Sequence, residues 1–365
     1  MQQKICKCLL VVLLIAHIKY ASSSYRNRLG DCEPFTIEFI AGLIQKKARQ
    51  LLEPFASLPY KRMLRFELYT RKNPHDHQVL RTGDRSRLTG SNFDAAWPVR
   101  FSIHGWNGQT RTCSNAAIKD AYLYKGNFNV VLVDWSDYSL DINYFRVIAE
   151  LFEMADQIND FARFLHTETG VPYSKMYLIG HSLGCHLAGI AGKRLRPDRY
   201  GAIFALDSAG PILNHLNETW HLAPSDAMYV ESIQTDLSFF GYRGAHLAHA
   251  TFFPNWGLGQ PHCPNATAME PDFVCDHFSS LYYFVESLHD DKAFGGFRCK
   301  NFKSIVEQKC SCGHEECEAQ AYMGGEPAVP KRGIYYLSTR PKRPFGYGKT
   351  FRMRRALQPT TTRTR

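Results

Sequence analysis

Residues 177–195, YLIGHSLGCHLAGIAGKRL, constrain the chain more than any other stretch. The first residues read as the end of a buried apolar strand, the remainder as a helix rich in small side chains. Between them lies Gly180-His181-Ser182-Leu183-Gly184, a G-x-S-x-G turn. A serine hydroxyl is a weak nucleophile unless it is held exposed, beside a base and beside donors for an oxyanion. A sharp strand-to-helix turn holds it so, and glycine flanks the serine because the backbone leaves no room for a Cβ. Ordinary tight turns share the pattern, but here the strand before it and the helix after it supply the context. Gly184, Ala188, Gly189, Ala191 and Gly192 predict a helix that closely approaches a parallel sheet.

The chain has 365 residues and 44% hydrophobic content, enough for one large α/β domain or two small ones. It opens with Lys4 and Lys7, an apolar run over residues 9–16, and small residues around Ala21, Ser22 and Ser23. That is the pattern of a secretory signal peptide over residues 1–21, too short in its apolar part for a membrane span. No later stretch has the length to cross a bilayer, so a soluble, secreted and extracellular product is expected. Cleavage removes Cys6 and Cys8 and leaves nine cysteines, of which eight can pair. In a secreted chain a disulfide framework is the default. Cys310-x-Cys312-x-His314-x-x-Cys317 is also open to a zinc reading, which the secreted context disfavours. Cys185, in the helix after Ser182, reads as a buried free thiol.

The formal charge of +10 is unevenly placed. Lys4, Lys7 and Lys19 depart with the leader, and Lys349, Arg352, Arg354, Arg355, Arg363 and Arg365 carry six of the seven excess charges that remain. The globular part is near neutral, which argues against a nucleic-acid partner. Residues 349–365 read as a flexible basic tail, solvated or in contact with an anionic membrane or glycan surface.

Along the chain, residues 39–52 resemble a helix that Pro54 would end. RFELYT (65–70) alternates as a strand up to a turn at Lys72-Asn73-Pro74. VRFSI (99–103) runs into His104-Gly105-Trp106, and NVVLV (129–133) into Asp134-Trp135. Residues 147–165 form an amphipathic helical pattern through Ile148, Leu151, Phe152, Ala155, Ile158, Ala162 and Leu165, with Gly170 placed to stop it. GAIFAL (201–206) then ends in Asp207. Strands alternating with helices predict βαβ units and a mostly parallel central sheet flanked by helices.

An activated serine needs a histidine base, and the base needs a carboxylate to fix its tautomer. In strand-turn-helix serine sites the chain order is serine, acid, histidine. Asp207 ends the strand directly after the serine unit; Asp226 and Asp236 are rivals in less strand-terminal settings. His277 stands in Cys275-Asp276-His277, directly before the apolar helical run 278–288, while His249 and His262 read as surface or structural histidines.

Taken together, RFELYTRKNP, SIHGW, NVVLVDW, GHSLGCHLAG, ALDSAGP, DAMYVESIQTD, FFPNWGLGQPHC, VCDH and the late cysteine group resemble the pancreatic lipase family over roughly residues 32–348. The resemblance implies an α/β-hydrolase fold over residues 22–348 and hydrolysis of lipid carboxylic esters. Ser182 would be the nucleophile, Asp207 the acid and His277 the base. The N–H groups of Trp106 and Leu183 would form the oxyanion hole. It also implies the disulfides Cys32–Cys113, Cys263–Cys275, Cys299–Cys310 and Cys312–Cys317, with Cys185 left free.

Several features depart from that family. The lid, PNATAMEPDFV (264–274), is short, as in the phospholipase A1 branch, where triacylglycerol lipases carry longer ones. This favours phospholipids or galactolipids modestly, with triacylglycerol close behind. The family's calcium site would use the carbonyls of Glu218 and His221 and the carboxylate of Asp226. The second carboxylate position is Ala223, so no tight metal site and no cofactor are expected. No C-terminal β-sandwich domain is expected, and hence no colipase partner. Yolk proteins that share the fold but lack the serine are the non-enzymatic alternative, a lipid binder without turnover. Asn217-Glu-Thr219 and Asn265-Ala-Thr267 are N-glycosylation sequons.

Overall fold

The strands over residues 99–103, 129–134 and 202–206 are buried at every position because helices cover the sheet on both faces. The computed structural model describes residues 62–263 and 273–352. Its strands are β1 (Arg65–Tyr69), β2 (Gln78–Leu80), β3 (Val99–Ile103), β4 (Asn129–Asp134), β5 (Met176–His181), β6 (Ala202–Leu206), β7 (Tyr229–Ile233), β8 (Ala250–Pro254), β9 (Gly295–Cys299), β10 (Glu316–Glu318), β11 (Ala321–Tyr322), β12 (Gly333–Leu337) and β13 (Thr350–Arg352). The long helices are α1 (Cys113–Lys125), α2 (Leu151–Thr169), α3 (Leu183–Leu195) and α4 (Phe273–His289).

The large sheet runs β11-β9-β12-β8-β7-β6-β5-β3-β4-β1-β2. From β12 through β4 the pairing is parallel, as βαβ crossovers require, and antiparallel strands close both edges. This is the α/β-hydrolase architecture. Side-chain alternation splits the core: Val131 and Val133 face α2 and α3, whereas Val130 and Leu132 face α1 and α4. Arg100, a charge inside β3, is neutralised by Glu326 through paired bonds of 2.9 and 2.7 Å and lies over the Tyr177 ring.

The pattern over 147–165 resolves into two pieces, Tyr144–Ala149 and α2, broken at Glu150. There Arg62 and Arg146 bind the carboxylate from both sides. Gly170, at φ 73°, closes α2 as its position predicts. No helix among the described residues is long and apolar enough to cross a membrane. The basic tail begins later than its composition suggests: Thr350–Arg352 pair with Glu316–Glu318 as β13, and Arg352 meets Glu315 and Glu316. Local acidic partners on β10 fold what charge alone marks as solvated. The 39–52 helix, the leader, most of the lid and the rest of the tail lie outside the described residues.

Candidate active site

The carboxyl ends of β3, β5 and β6 lie side by side, and each delivers a residue to one place. Between β5 and α3, Ser182 adopts φ 56° and ψ −122°, a backbone costing on the order of 1–3 kcal/mol. It is locked there because its N–H donates to Leu206 (3.0 Å) and its carbonyl accepts from Ala209 (3.2 Å). A Cβ at Gly180 would come within 2.5 Å of the Gly184 carbonyl, and one at Gly184 within 2.4 Å of the Ile103 carbonyl. Both glycines of the turn are therefore steric requirements. The small residues of α3 divide: Gly184 meets the end of β3, whereas Gly189 and Gly192 face Leu222 and Asp226 of a loop rather than the sheet. Of the three glycines, only Gly184 makes the expected close approach to the sheet, while Ala188 and Ala191 are buried in the core cluster that includes β3, β5 and β6.

Asp207 follows β6, at φ 47°, and is fully buried. Its Oδ1 accepts from the N–H groups of Thr235 (2.6 Å) and Asp236 (2.9 Å), and its Oδ2 accepts from Nδ1 of His277 at 2.5 Å. Burial pushes the carboxyl up to about 6, while the bond to His277 and its charge pull the other way. The His277 Nδ1–H is thus committed to Asp207, a tautomer assigned from the hydrogen-bond network, which leaves Nε2 as the basic nitrogen.

His277 is the fifth residue of α4, not a residue ahead of the helix. The helix starts early because the buried Asp276 carboxylate accepts from the N–H groups of Gly259 (2.8 Å) and Gln260 (2.6 Å). The disulfide Cys263–Cys275 fastens the same end. His277 packs against His181 at 4.6 Å and Phe240 at 5.2 Å between ring centres. His181 Nε2 lies 3.4 Å from the His277 carbonyl, and burial holds His181 well below its ordinary value, so it places no second charge beside His277.

Leu183, as the first residue of α3, has an N–H with no carbonyl to meet inside the helix. Trp106 lies on the loop after β3, next to Gly105, where an added Cβ would fall 2.8 Å from the Ser182 Cβ. That loop is fixed by Trp106 Nε1 donating to Asp141 (2.8 Å), Asn107 N–H to Ser139 (2.9 Å) and Trp135 Nε1 to His104 (3.0 Å).

The rival acids are employed elsewhere. Asp236 accepts from the N–H groups of Ser238, Phe239 and Phe240 and shapes the loop over His277, while Asp226 pairs with Lys193. Nothing in the local sequence marks the carboxylate of Asp276, the Thr235 and Asp236 amides or the His181 ring as parts of the site, because their partners lie far away in the chain.

Cys263–Cys275, Cys299–Cys310 and Cys312–Cys317 are bonded as the resemblance implies, and Cys185 is free and buried. Those disulfides use the sulfurs that a zinc site at 310–317 would need. The cluster of His262, Cys263 and Cys275 has metal-like spacing, but its sulfurs are spent in the same way. Cys32, and with it the expected bond to Cys113, lies outside the described residues, as does Asn265; Asn217 is exposed.

The sequence profile described as Lipase matches residues 42–345. The chain is 31% identical to pancreatic triacylglycerol lipase of Cavia porcellus over 303 residues, which is 77% of this chain and 64% of that protein. It is 28% identical to pancreatic lipase-related protein 2 of Myocastor coypus over 353 residues, covering 90% and 72% of the two chains. It is also 31% identical to inactive pancreatic lipase-related protein 1 of Homo sapiens over 293 residues, covering 73% and 61%. This chain thus spans about two thirds of the length of each of these relatives. The chain belongs to the pancreatic lipase family.

Proposed function

We propose that this protein is a secreted hydrolase of lipid carboxylic esters that works through an acyl-serine at Ser182. The observation that carries the reading is the buried Asp207–His277 hydrogen bond beside the strained Ser182 turn. His277 Nε2 takes the Ser182 Oγ proton as the oxygen attacks the ester carbonyl. The imidazolium, stabilised by Asp207, returns the proton to the departing alcohol. Water, deprotonated by the same nitrogen, then cleaves the acyl-serine and frees the fatty acid. The Trp106 and Leu183 amides hold the oxyanion in both steps.

A lipid substrate suits the rim of the site. Ile142 and Phe145, on the segment that also holds Trp106, are 62% and 68% exposed, and Phe239 beside the His277 loop is 47% exposed. Apolar side chains in that position would enter a lipid surface. The eleven-residue lid favours a bulky polar head group, so sn-1 cleavage of phospholipids or galactolipids ranks ahead of triacylglycerol. The leader and the disulfides support secretion, and exposed Asn217 is open to a glycan.

The test compares the purified protein with Ser182→Ala on phosphatidylcholine vesicles and on emulsified triacylglycerol. Turnover by the parent alone supports the triad, and the preferred substrate ranks the two lipid classes. No turnover of either, with lipid retained on the purified protein, would replace the hydrolase by a lipid binder.

A further inference from the structure

The calcium site implied by the family resemblance can be tested against the residues present. Ala223 is buried and brings no oxygen from its side chain. Two of the other three expected donors are already taken. Lys193 Nζ donates to the His221 carbonyl at 2.9 Å and to Asp226 Oδ2 at 2.5 Å, and the Ala223 N–H donates to the same carboxylate oxygen at 2.7 Å. Calcium takes about six to eight oxygen ligands, whereas an ammonium presents only donors. There is also no slack to reopen the place. A Cβ at Gly192 would lie 2.0 Å from the Asp226 carbonyl, so the loop rests directly on the helix backbone. The residues do not fit calcium.

We propose that Lys193 is a built-in cation standing where a divalent metal would stand, so that the loop over residues 218–226 folds without one. Sequence puts the ammonium on α3, the helix that begins beside Ser182, and the carboxylate on the loop that crosses this helix. The ion pair ties the two. Nearby, His186 on the same helix makes a neutral bridge, donating to the Ala209 carbonyl at 2.8 Å and accepting from the Leu222 N–H at 3.1 Å. Arg196 stands 3.7 Å from Asp226 Oδ1, the buried oxygen that has no hydrogen bond, and adds positive charge on that side. Glu218 is the remaining acid that Lys193 senses. Lysine here supplies one positive charge to a single carboxylate and a further donor to the His221 carbonyl, which matches a site that has kept one carboxylate of two.

The experiment follows thermal unfolding of the full protein in EDTA and in millimolar calcium, for the parent, Lys193→Met, Lys193→Arg and Lys193→Met/Asp226→Asn. The parent should unfold at the same temperature in both buffers. Lys193→Met keeps the stem but strands a buried carboxylate, and should lose several degrees that calcium does not restore. Lys193→Arg should recover part of the loss, and the double variant should unfold above Lys193→Met because the stranded charge is gone. A parent that loses stability in EDTA, or a Lys193→Met protein as stable as the parent, overturns the proposal. If Lys193→Met does not fold, the parent's response to EDTA still decides.

Discussion

Asp207 and His277 stand 70 residues apart in the chain and 2.5 Å apart in the fold, one at the end of β6 and the other in the second turn of α4. The Asp207 carboxylate accepts three hydrogen bonds while fully buried. It is therefore oriented by the structure, yet its charge is opposed by burial.

That opposition gives a pH dependence with a definite sign. The folded carboxyl titrates at about 6, above its ordinary 3.8, so the native state holds the proton more tightly than the unfolded chain. Its contribution to stability is full below the ordinary value and is lost as pH rises through the folded one. Asp207→Asn should thus match the parent near pH 4 and resist urea better above pH 6, by an amount on the order of 1–3 kcal/mol. Its kcat should fall by about 10⁴, because the Asn amide can donate to Nδ1 and leave the proton on Nε2, the wrong tautomer for a base. Urea titrations at the two pH values decide; a variant weaker than the parent above pH 6 refutes the argument.

Ester hydrolysis by the parent should decline on the acid side as the buried Asp207 carboxyl, pushed up to about 6, takes its proton. The measurement is kcat/KM against pH on a soluble ester. A profile flat down to pH 4.5 would mean that the ionised pair is not required.

Asp276→Ala removes the acceptor of the Gly259 and Gln260 amides without touching the triad. Stranding those buried donors should cost about 2–5 kcal/mol. Because His277 is the next residue, kcat should also fall, by roughly 10–100-fold, with KM changed little. Equilibrium unfolding and steady-state kinetics on one preparation separate the two effects. Unchanged kcat would show that the disulfide Cys263–Cys275 alone positions the helix start.

Ile142→Ser combined with Phe145→Ser should impair work at a lipid surface and nothing else. Each side chain offers on the order of 1.5–3 kcal/mol when buried in an apolar phase. Vesicle binding and vesicle hydrolysis should drop about tenfold or more, with short soluble esters cleaved at the parent's rate. Equal losses on both substrates would place these residues in the catalytic loop's packing instead.

Much of the site was legible in the chain because the strained turn has few solutions. Only glycine fits on both sides of Ser182, and only a strand before and a helix after hold the serine exposed. Continuous apolar runs such as NVVLV announced strands covered on both faces, and Asp207 was marked by ending the strand after the serine. Local sequence sets Asp226 and Asp236 below Asp207 only by their less strand-terminal settings. All three follow parallel strands or their loops, and their distances to His277 do not exist until the sheet closes.

The sequence by itself determined the order of elements, the turn, and the residue types the chemistry requires, since these depend on periodicity and local backbone sterics. Tertiary structure alone decided what each charge would face. Packing of the 218–226 loop against Gly189 and Gly192 brought Lys193 to Asp226, and closure of β7 onto β6 aimed the Thr235 and Asp236 amides at Asp207. β10 likewise recruited Thr350–Arg352 from what composition marks as tail. Such pairings depend on long-range geometry and on the dielectric that burial creates, and neither is written in the local pattern of residues.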